Sequence, residues 1–116
     1  MNKSLKNLWV AALTSGYYKQ GTGYLKRHRG GKTEYCCLGV LCQVAGVPED
    51  SRTTISKFGG FDDTLSTSLR ATLRLSSSDT LKLANMNDGC RQSPGGLRLA
   101  PRKTFKQIAR WIKENL

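Results

Sequence analysis

The amino-acid sequence predicts an α+β fold: a single, mostly helical domain over residues 1–116 that carries one small antiparallel β-hairpin. Three observations predict it. Apolar residues recur with helical spacing near both ends, an uncharged run rich in cysteine occupies residues 36–45, and two short runs flank the pair Gly30-Gly31. A chain of 116 residues supports one modest hydrophobic core, so we expect no second domain.

The two terminal helices are predicted from their caps and apolar faces. Ser4 is expected to cap the first helix and Gly16 to end it. Thr104 is expected to cap the last helix. The apolar face of the first helix is Leu5, Leu8, Trp9, Ala12 and Leu13, and that of the last is Phe105, Ile108, Ala109, Ile112 and Leu116.

Between them, residues 23–36 form two short runs around Arg29-Gly30-Gly31, which predicts a hairpin because glycine readily takes positive φ. Residues 36–45 are apolar except for Gln43, which predicts a buried helix that ends at Gly46. The run spans only about ten residues, so a buried strand is the alternative.

The centre of the chain is expected to be less regular. Residues 49–66 predict an irregular connection, whereas residues 67–75 and 79–87 predict two short helices. Residues 87–89 predict a turn, and residues 92–101 predict a loop or a second hairpin. The residues expected to face inward on the second short helix are Leu81, Ala84 and Met86.

The composition is strongly basic. Lys and Arg number 19 against 8 Asp and Glu, and the resulting net charge of +11 favours an anionic partner over a neutral one. No apolar stretch approaches the roughly 18 residues of a membrane span, and the N-terminus lacks a signal-peptide pattern. We therefore expect a soluble cytosolic protein with no membrane partner and with reduced thiols. No pattern indicates an oligomeric state.

Four short motifs follow one another along the chain. They read Ser-Gly-Tyr-x-Lys-Gln-Gly-x-Gly-x-Leu from residue 15, Tyr-Cys-Cys-Leu-Gly-Val-Leu-Cys from residue 35, Leu-Ala-x-x-Asn-Asp from residue 83, and Thr-Phe-x-x-Ile-Ala-x-x-Ile from residue 104. The combination resembles a family of small proteins of tailed bacteriophages, most fully over residues 1–48. The resemblance implies a phage accessory protein, acting in host takeover or counter-defence in the cytoplasm of the infected bacterium.

The first candidate ligand-binding segment combines aromatic, glycine and basic residues. Aromatic rings can stack on a base, cations can contact phosphates, and glycines allow backbone N–H groups to approach a phosphate closely. The alternative is that Tyr18 and Leu25 pack in the core and that the cations only keep the hairpin surface in contact with solvent, without binding a ligand. The candidate residues are Tyr17, Lys19, Gln20, Gly21, Gly23, Tyr24, Lys26, Arg27, Arg29 and Lys32.

The second candidate lies around the last helix, where cations recur at helical spacing beside the apolar face. Residues 89–113 contain seven cations and no acid, enough for several salt-sensitive phosphate contacts. The alternative is a solvated face that only keeps the protein soluble. The candidate residues are Arg98, Arg102, Lys103, Lys106, Arg110 and Lys113.

Catalysis by a thiol is a minor alternative. Cys36 and Cys37 lie at the start of the predicted helix, whose dipole would lower a thiol pKa, but His28 is the only histidine and no orienting partner for it is evident. The cysteine spacing lacks the paired pattern of zinc sites. Asp62 and Asp63 are expected to cap the next helix rather than to act as an acid-base pair. We expect no catalytic residue, no metal and no cofactor.

The sequence thus predicts a non-enzymatic binder of an anionic ligand, with nucleic acid or a nucleotide as the first candidate. An extended basic stripe would favour a polymer, and a closed pocket beside the hairpin would favour a small cyclic nucleotide. The alternative partner is a host or defence protein with an acidic surface, and this alternative predicts exposed apolar residues beside the basic patch.

Overall fold

The computed structural model describes residues 1–89 and 101–116. The fold is α+β and mostly helical. In chain order, the described helices and strands are α1 Lys3–Thr14, β1 Lys19–Gln20, β2 Lys26–Arg29, β3 Lys32–Tyr35, α2 Cys37–Val44, β4 Glu49–Asp50, β5 Lys57–Phe58, α3 Thr67–Leu73, α4 Ser77–Asp88 and α5 Phe105–Asn115.

The core forms where α1 and α5 pack against each other and α1 packs on α2. Trp9 and Leu13 of α1 are buried together with Ile108 and Ile112 of α5, as the two apolar faces predict. The face of α1 is narrower than predicted, because Leu8 is 56% exposed. Buried residues of all the described helices join one hydrophobic cluster.

Helix caps are confirmed at one end of the chain and shifted at the other. Thr104 caps α5, and its side chain and that of Gln107 form a reciprocal capping box. The prediction for α1 was wrong by two residues: Asn2 is the cap, and its Oδ1 accepts from the Leu5 N–H at 3.0 Å. Asn and Ser are equally good caps, so residue type could not decide between them.

The hairpin is confirmed. Strands β2 and β3 are antiparallel with Arg29 opposite Lys32, which leaves Gly30 and Gly31 as a two-residue turn with φ of +57° and +78°. Strand β1, which the sequence did not predict, pairs in parallel with β3 and makes β3 the central strand. A strand of two polar residues has no alternating pattern by which it could be recognised.

Helix α2 is the buried helix predicted from the cysteine-rich run. Its N-cap is Cys36, whose Sγ accepts from the Gly39 N–H at 3.4 Å. Gly39 lies directly on the backbone of Leu25, so a Cβ at this position would overlap the Leu25 carbonyl group. The Cys36 N–H donates to the same Leu25 oxygen at 3.2 Å. The core helix and the start of β2 are therefore in backbone contact.

The centre of the chain differs from prediction in three places. Strands β4 and β5 form a small antiparallel pair within the connection expected to be irregular. Helix α3 ends at Leu73, because Arg74 takes the left-handed conformation with φ +57°. Ser66 caps α3 rather than Asp62 or Asp63.

Helix α4 extends through residues predicted to form a turn. Asn87 and Asp88 belong to its last turn, and Gly89 follows it with φ +85°. Leu81, expected to face inward, is 63% exposed, and Leu83 is fully buried instead. Most of the loop or hairpin predicted for residues 92–101 lies outside the described residues. Within the described parts of the chain, no helix is long and apolar enough to cross a membrane.

The contact of Gly39 with Leu25 can be tested by substitution. We expect Gly39→Ala to destabilise the fold by more than about 2 kcal/mol, although alanine is normally the better helix former by about 1 kcal/mol. Chemical denaturation measures the change, and Ser68→Ala, at an exposed position of α3, is the control. An unchanged or higher stability of the Gly39 variant would contradict the close packing.

Candidate anion-binding grooves

An open groove of about 480 Å³ lies along the hairpin. We call it the hairpin groove. Cations reach it from four places: β1, β2, β3 and the segment before α5. Because side chains alternate across a strand, Arg27 and Arg29 share a face with their cross-strand partners Glu34 and Lys32. The groove is lined by Lys19, Gln20, Gly21, Thr22, Arg27, Arg29, Gly30, Lys32, Glu34 and Arg102.

Arg27 is the most constrained cation of this groove. Its guanidinium lies 5.3 Å from the Tyr24 ring centroid, and Nη2 lies 3.6 Å from Glu34 Oε1. Its Nε is buried and has no hydrogen-bond partner in the described part of the chain. Such a donor is costly to leave unsatisfied. Because Nε is buried, a ligand in the groove could reach Arg27 only at its other guanidinium nitrogens.

Four residues predicted for the first candidate segment do not line the groove: Tyr17, Gly23, Tyr24 and Lys26. Lys26 lies on the opposite face of β2, where Nζ contacts Glu49 Oε2 at 2.8 Å and lies 5.5 Å from the Tyr35 ring. Burial would lower the pKa of Lys26, but the hydrogen bond to Glu49 and the nearby negative charge raise it. Tyr17 is 82% exposed and contacts the Tyr18 ring edge-on at 4.9 Å.

The two glycines do not have the predicted role of offering free N–H groups to a phosphate. The Gly21 N–H donates to the Tyr35 carbonyl at 2.8 Å, and the Gly23 N–H donates to Asp88 Oδ1 at 3.3 Å. Glycine is required at position 21 for a steric reason, because a Cβ there would lie 2.7 Å from Glu34 Cβ. Both residues serve to bring β1 and the following loop against β3 and α4.

Asn87 holds two lining residues of the groove, Gln20 and Gly21, although the sequence predicted only the end of a helix and the start of a turn there. The side chain is fully buried and uses all four of its hydrogen-bonding positions. Its Oδ1 accepts from the Cys37 N–H and from Gln20 Nε2, each at 3.1 Å. Its Nδ2 donates to the Gly21 carbonyl and to Asp88 Oδ1, each at 2.8 Å. One amide thus joins α4, the start of α2 and the end of β1.

The segment before α5 brings the second candidate region to the first. The Lys103 N–H donates to the Met86 carbonyl at 2.7 Å, and the Lys103 carbonyl accepts from Gln20 Nε2 at 2.8 Å. These bonds fix the backbone beside β1, and Arg102 lines the hairpin groove as a result. The sequence placed Arg102 and the hairpin in separate candidate sites, and the structure unites them.

The remaining described cations of the second candidate region line two further grooves. Lys106, Arg110 and Lys113 line a groove of about 430 Å³ between α1 and α5, whereas Lys103 and Arg110 line a smaller one between α4 and α5. Glu114 lines both grooves. The cations of residues 89–113, a stretch without acids in the sequence, therefore share these grooves with one carboxylate. Arg98 lies outside the described residues.

The described thiols are buried in the core. Burial raises the pKa of Cys36 and of Cys42 to about 12, and it raises that of Cys37 well above its usual range. The predicted lowering by the helix dipole is therefore outweighed by desolvation. His28 lies on the hairpin, where Nδ1 contacts Thr33 Oγ1 at 2.8 Å. Among residues 1–89 and 101–116, no cluster of three His, Cys, Asp or Glu side chains could hold a metal ion.

The comparison with known families gives one result. The chain belongs to a family described as a domain of unknown function, DUF8296, whose model matches residues 1–58. The matched segment contains α1, the three-stranded sheet, α2 and the β4–β5 pair. No curated protein and no solved structure matches the chain.

The buried amide of Asn87 has a matched control in Asn85 of the same helix, which is exposed. We expect Asn87→Ala to lower the free energy of unfolding by about 2 to 5 kcal/mol, since it leaves buried backbone and side-chain groups without partners. Asn85→Ala should change it by less than about 0.5 kcal/mol. Equal effects in denaturant titrations would show that the amide network contributes little.

The state of the thiols can be tested chemically. With a pKa of about 12 for Cys36 and Cys42, only about 0.01% of each is thiolate at pH 8, so we expect the native protein to resist a thiol-specific reagent. The experiment uses Cys90→Ser, which leaves the three described cysteines. These three should react fully in denaturant, and rapid labelling of the native variant would refute their burial.

Proposed function

We propose that this protein binds nucleic acid through its phosphates, in the hairpin groove, without catalysing a reaction. The observation that carries the proposal is the convergence of five cations on one groove: Lys19, Arg27, Arg29, Lys32 and Arg102. Among the lining residues that the structure describes, Glu34 is the one acid. Arginine suits this purpose because its guanidinium can donate two hydrogen bonds to one phosphate.

A polymer fits the geometry better than a small cyclic nucleotide. The hairpin groove is open, and the described residues that line it include no aromatic ring that would sandwich a base. Arg102 also connects it to Lys103 and thereby to the cations of α5, so that basic residues continue beyond the groove. A ligand with a phosphate on every unit can use such a series, whereas a compact ligand cannot.

The absence of catalysis is supported by the state of the thiols. A nucleophilic cysteine needs an accessible thiolate, and the described cysteines are buried with raised pKa values. The resemblance to tailed-phage proteins supports a role in the cytoplasm of an infected bacterium, in host takeover or counter-defence. Binding of host or phage nucleic acid would serve host takeover or counter-defence.

A second candidate, docking on an acidic host or defence protein, is favoured by one observation. A groove of about 310 Å³ is lined by Leu81, Met86 and Pro101 together with Lys82 and Lys103. Leu81 is 63% exposed. Exposed apolar residues beside cations are what this alternative predicts.

The salt dependence of binding tests the proposal. The affinity for a fluorescent oligonucleotide is measured by anisotropy over a range of salt concentrations. We expect the affinity to fall steeply with salt, and the triple variant Arg29→Gln, Lys32→Gln, Arg102→Gln to flatten the slope of log K against log salt by about 2 to 3. All three side chains are exposed, so the fold should be retained.

The matched control is Lys3→Gln, Lys57→Gln, Arg74→Gln, which removes the same charge from exposed positions outside the hairpin groove. It should leave the slope nearly unchanged. Equal slopes for the two triple variants would indicate an effect of net charge alone. A third variant, Lys106→Gln, Arg110→Gln, Lys113→Gln, tests whether the bound polymer reaches α5. Tighter binding of a cyclic dinucleotide than of the oligonucleotide would contradict the polymer.

A further inference from the structure

Trp111 lies in a groove between the end of α4 and the outer side of α5. The groove, which we call the α4–α5 groove, has a volume of about 230 Å³. Trp111 is only partly buried, in contrast to Trp9, which is fully buried and donates its indole N–H to the Cys37 carbonyl at 2.9 Å. The groove is lined by Met86, Lys103, Gln107, Arg110, Trp111 and Glu114.

Trp111 packs partly against the core, and cations lie on its exposed side of the fold. Lys82 Nζ lies 5.8 Å from the ring centroid, and Lys103 and Arg110 line the same groove. An indole ring bordered by Lys and Arg is the combination by which proteins hold unpaired strands: the ring stacks on a base and the cations contact the adjoining phosphates. A duplex keeps its bases stacked inside and offers this ring no partner.

The α4–α5 groove adjoins the hairpin groove. Lys103 lines the first and Arg102, its neighbour in the chain, lines the second. The backbone between them is fixed by the hydrogen bonds of Lys103 to Met86 and Gln20. One strand can therefore place phosphates in the hairpin groove and a base against Trp111.

We infer that the α4–α5 groove takes an unpaired nucleobase stacked on Trp111, so that the nucleic acid bound by this protein is single-stranded. This inference rests on the proposed function. An acidic peptide with an apolar side chain would also suit an aromatic ring among cations. The phosphate-suited hairpin groove beside it favours the nucleic acid, because a single ligand then satisfies both.

The test compares three ligands of equal length: an oligothymidylate, an abasic strand with the same backbone, and a duplex. We expect the oligothymidylate to bind most tightly and to quench the emission of Trp111, while Trp9 is shielded in the core. The abasic strand should bind without quenching. Trp111→Ala should weaken oligothymidylate binding about five- to hundredfold and leave abasic binding unchanged, because stacking contributes per base and not per phosphate.

Two further variants separate stacking from folding. Trp111→Phe retains an aromatic face and should retain most of the affinity, whereas Leu8→Ala, at an exposed apolar residue of α1, should have no effect. If oligothymidylate and abasic strands bind the wild-type protein equally and without quenching, the inference is wrong and the proposed function stands. If no strand or duplex binds, the proposed function fails. Quenching by a Glu- and Leu-rich peptide but not by oligothymidylate would assign the groove to a protein.

Discussion

The buried amide of Asn87 is the interaction on which the arrangement of the candidate site depends. Its four hydrogen bonds reach the last turn of α4, the first turn of α2 and the strand and loop around Gly21. In a core that excludes water, each of these groups would otherwise lack a partner. The cost of breaking the network fixes the relative position of three elements that are far apart in the chain.

A second constraint acts from the other side of α2. Gly39 and the Cys36 N–H both contact the Leu25 backbone, which holds the start of β2 against the helix. The hairpin is thus attached to the core at its base and projects its tip, where Arg29 and Lys32 pair, into solvent. Strand alternation then places four charged side chains on one face. The concentration of positive charge is a consequence of this register.

The two grooves differ in what they offer to a ligand. The hairpin groove presents charge and hydrogen-bond donors, while the α4–α5 groove adds an aromatic ring. They meet at Arg102 and Lys103, whose backbone is held by Gln20 and Met86. Gln20 therefore links the Asn87 network to the junction of the grooves, since its Nε2 donates to both Asn87 Oδ1 and the Lys103 carbonyl. Hydrogen bonds thus connect the core to the surface proposed to bind nucleic acid.

The sequence by itself determined the features that depend on local pattern. The apolar faces of α1 and α5, the buried helix α2 and the Gly30-Gly31 turn could all be predicted, because helical spacing and positive φ leave a signal within a few residues. It also identified all five cations that line the hairpin groove, although it divided them between two candidate sites. Only the tertiary structure decided which of them act together. Lys26 forms an ion pair with Glu49 on the face of β2 opposite the groove. Arg102, although distant in sequence, lines the same groove as Arg27. The roles of Asn87 and Trp111 arise from contacts between residues distant in sequence, and no local pattern encodes such contacts.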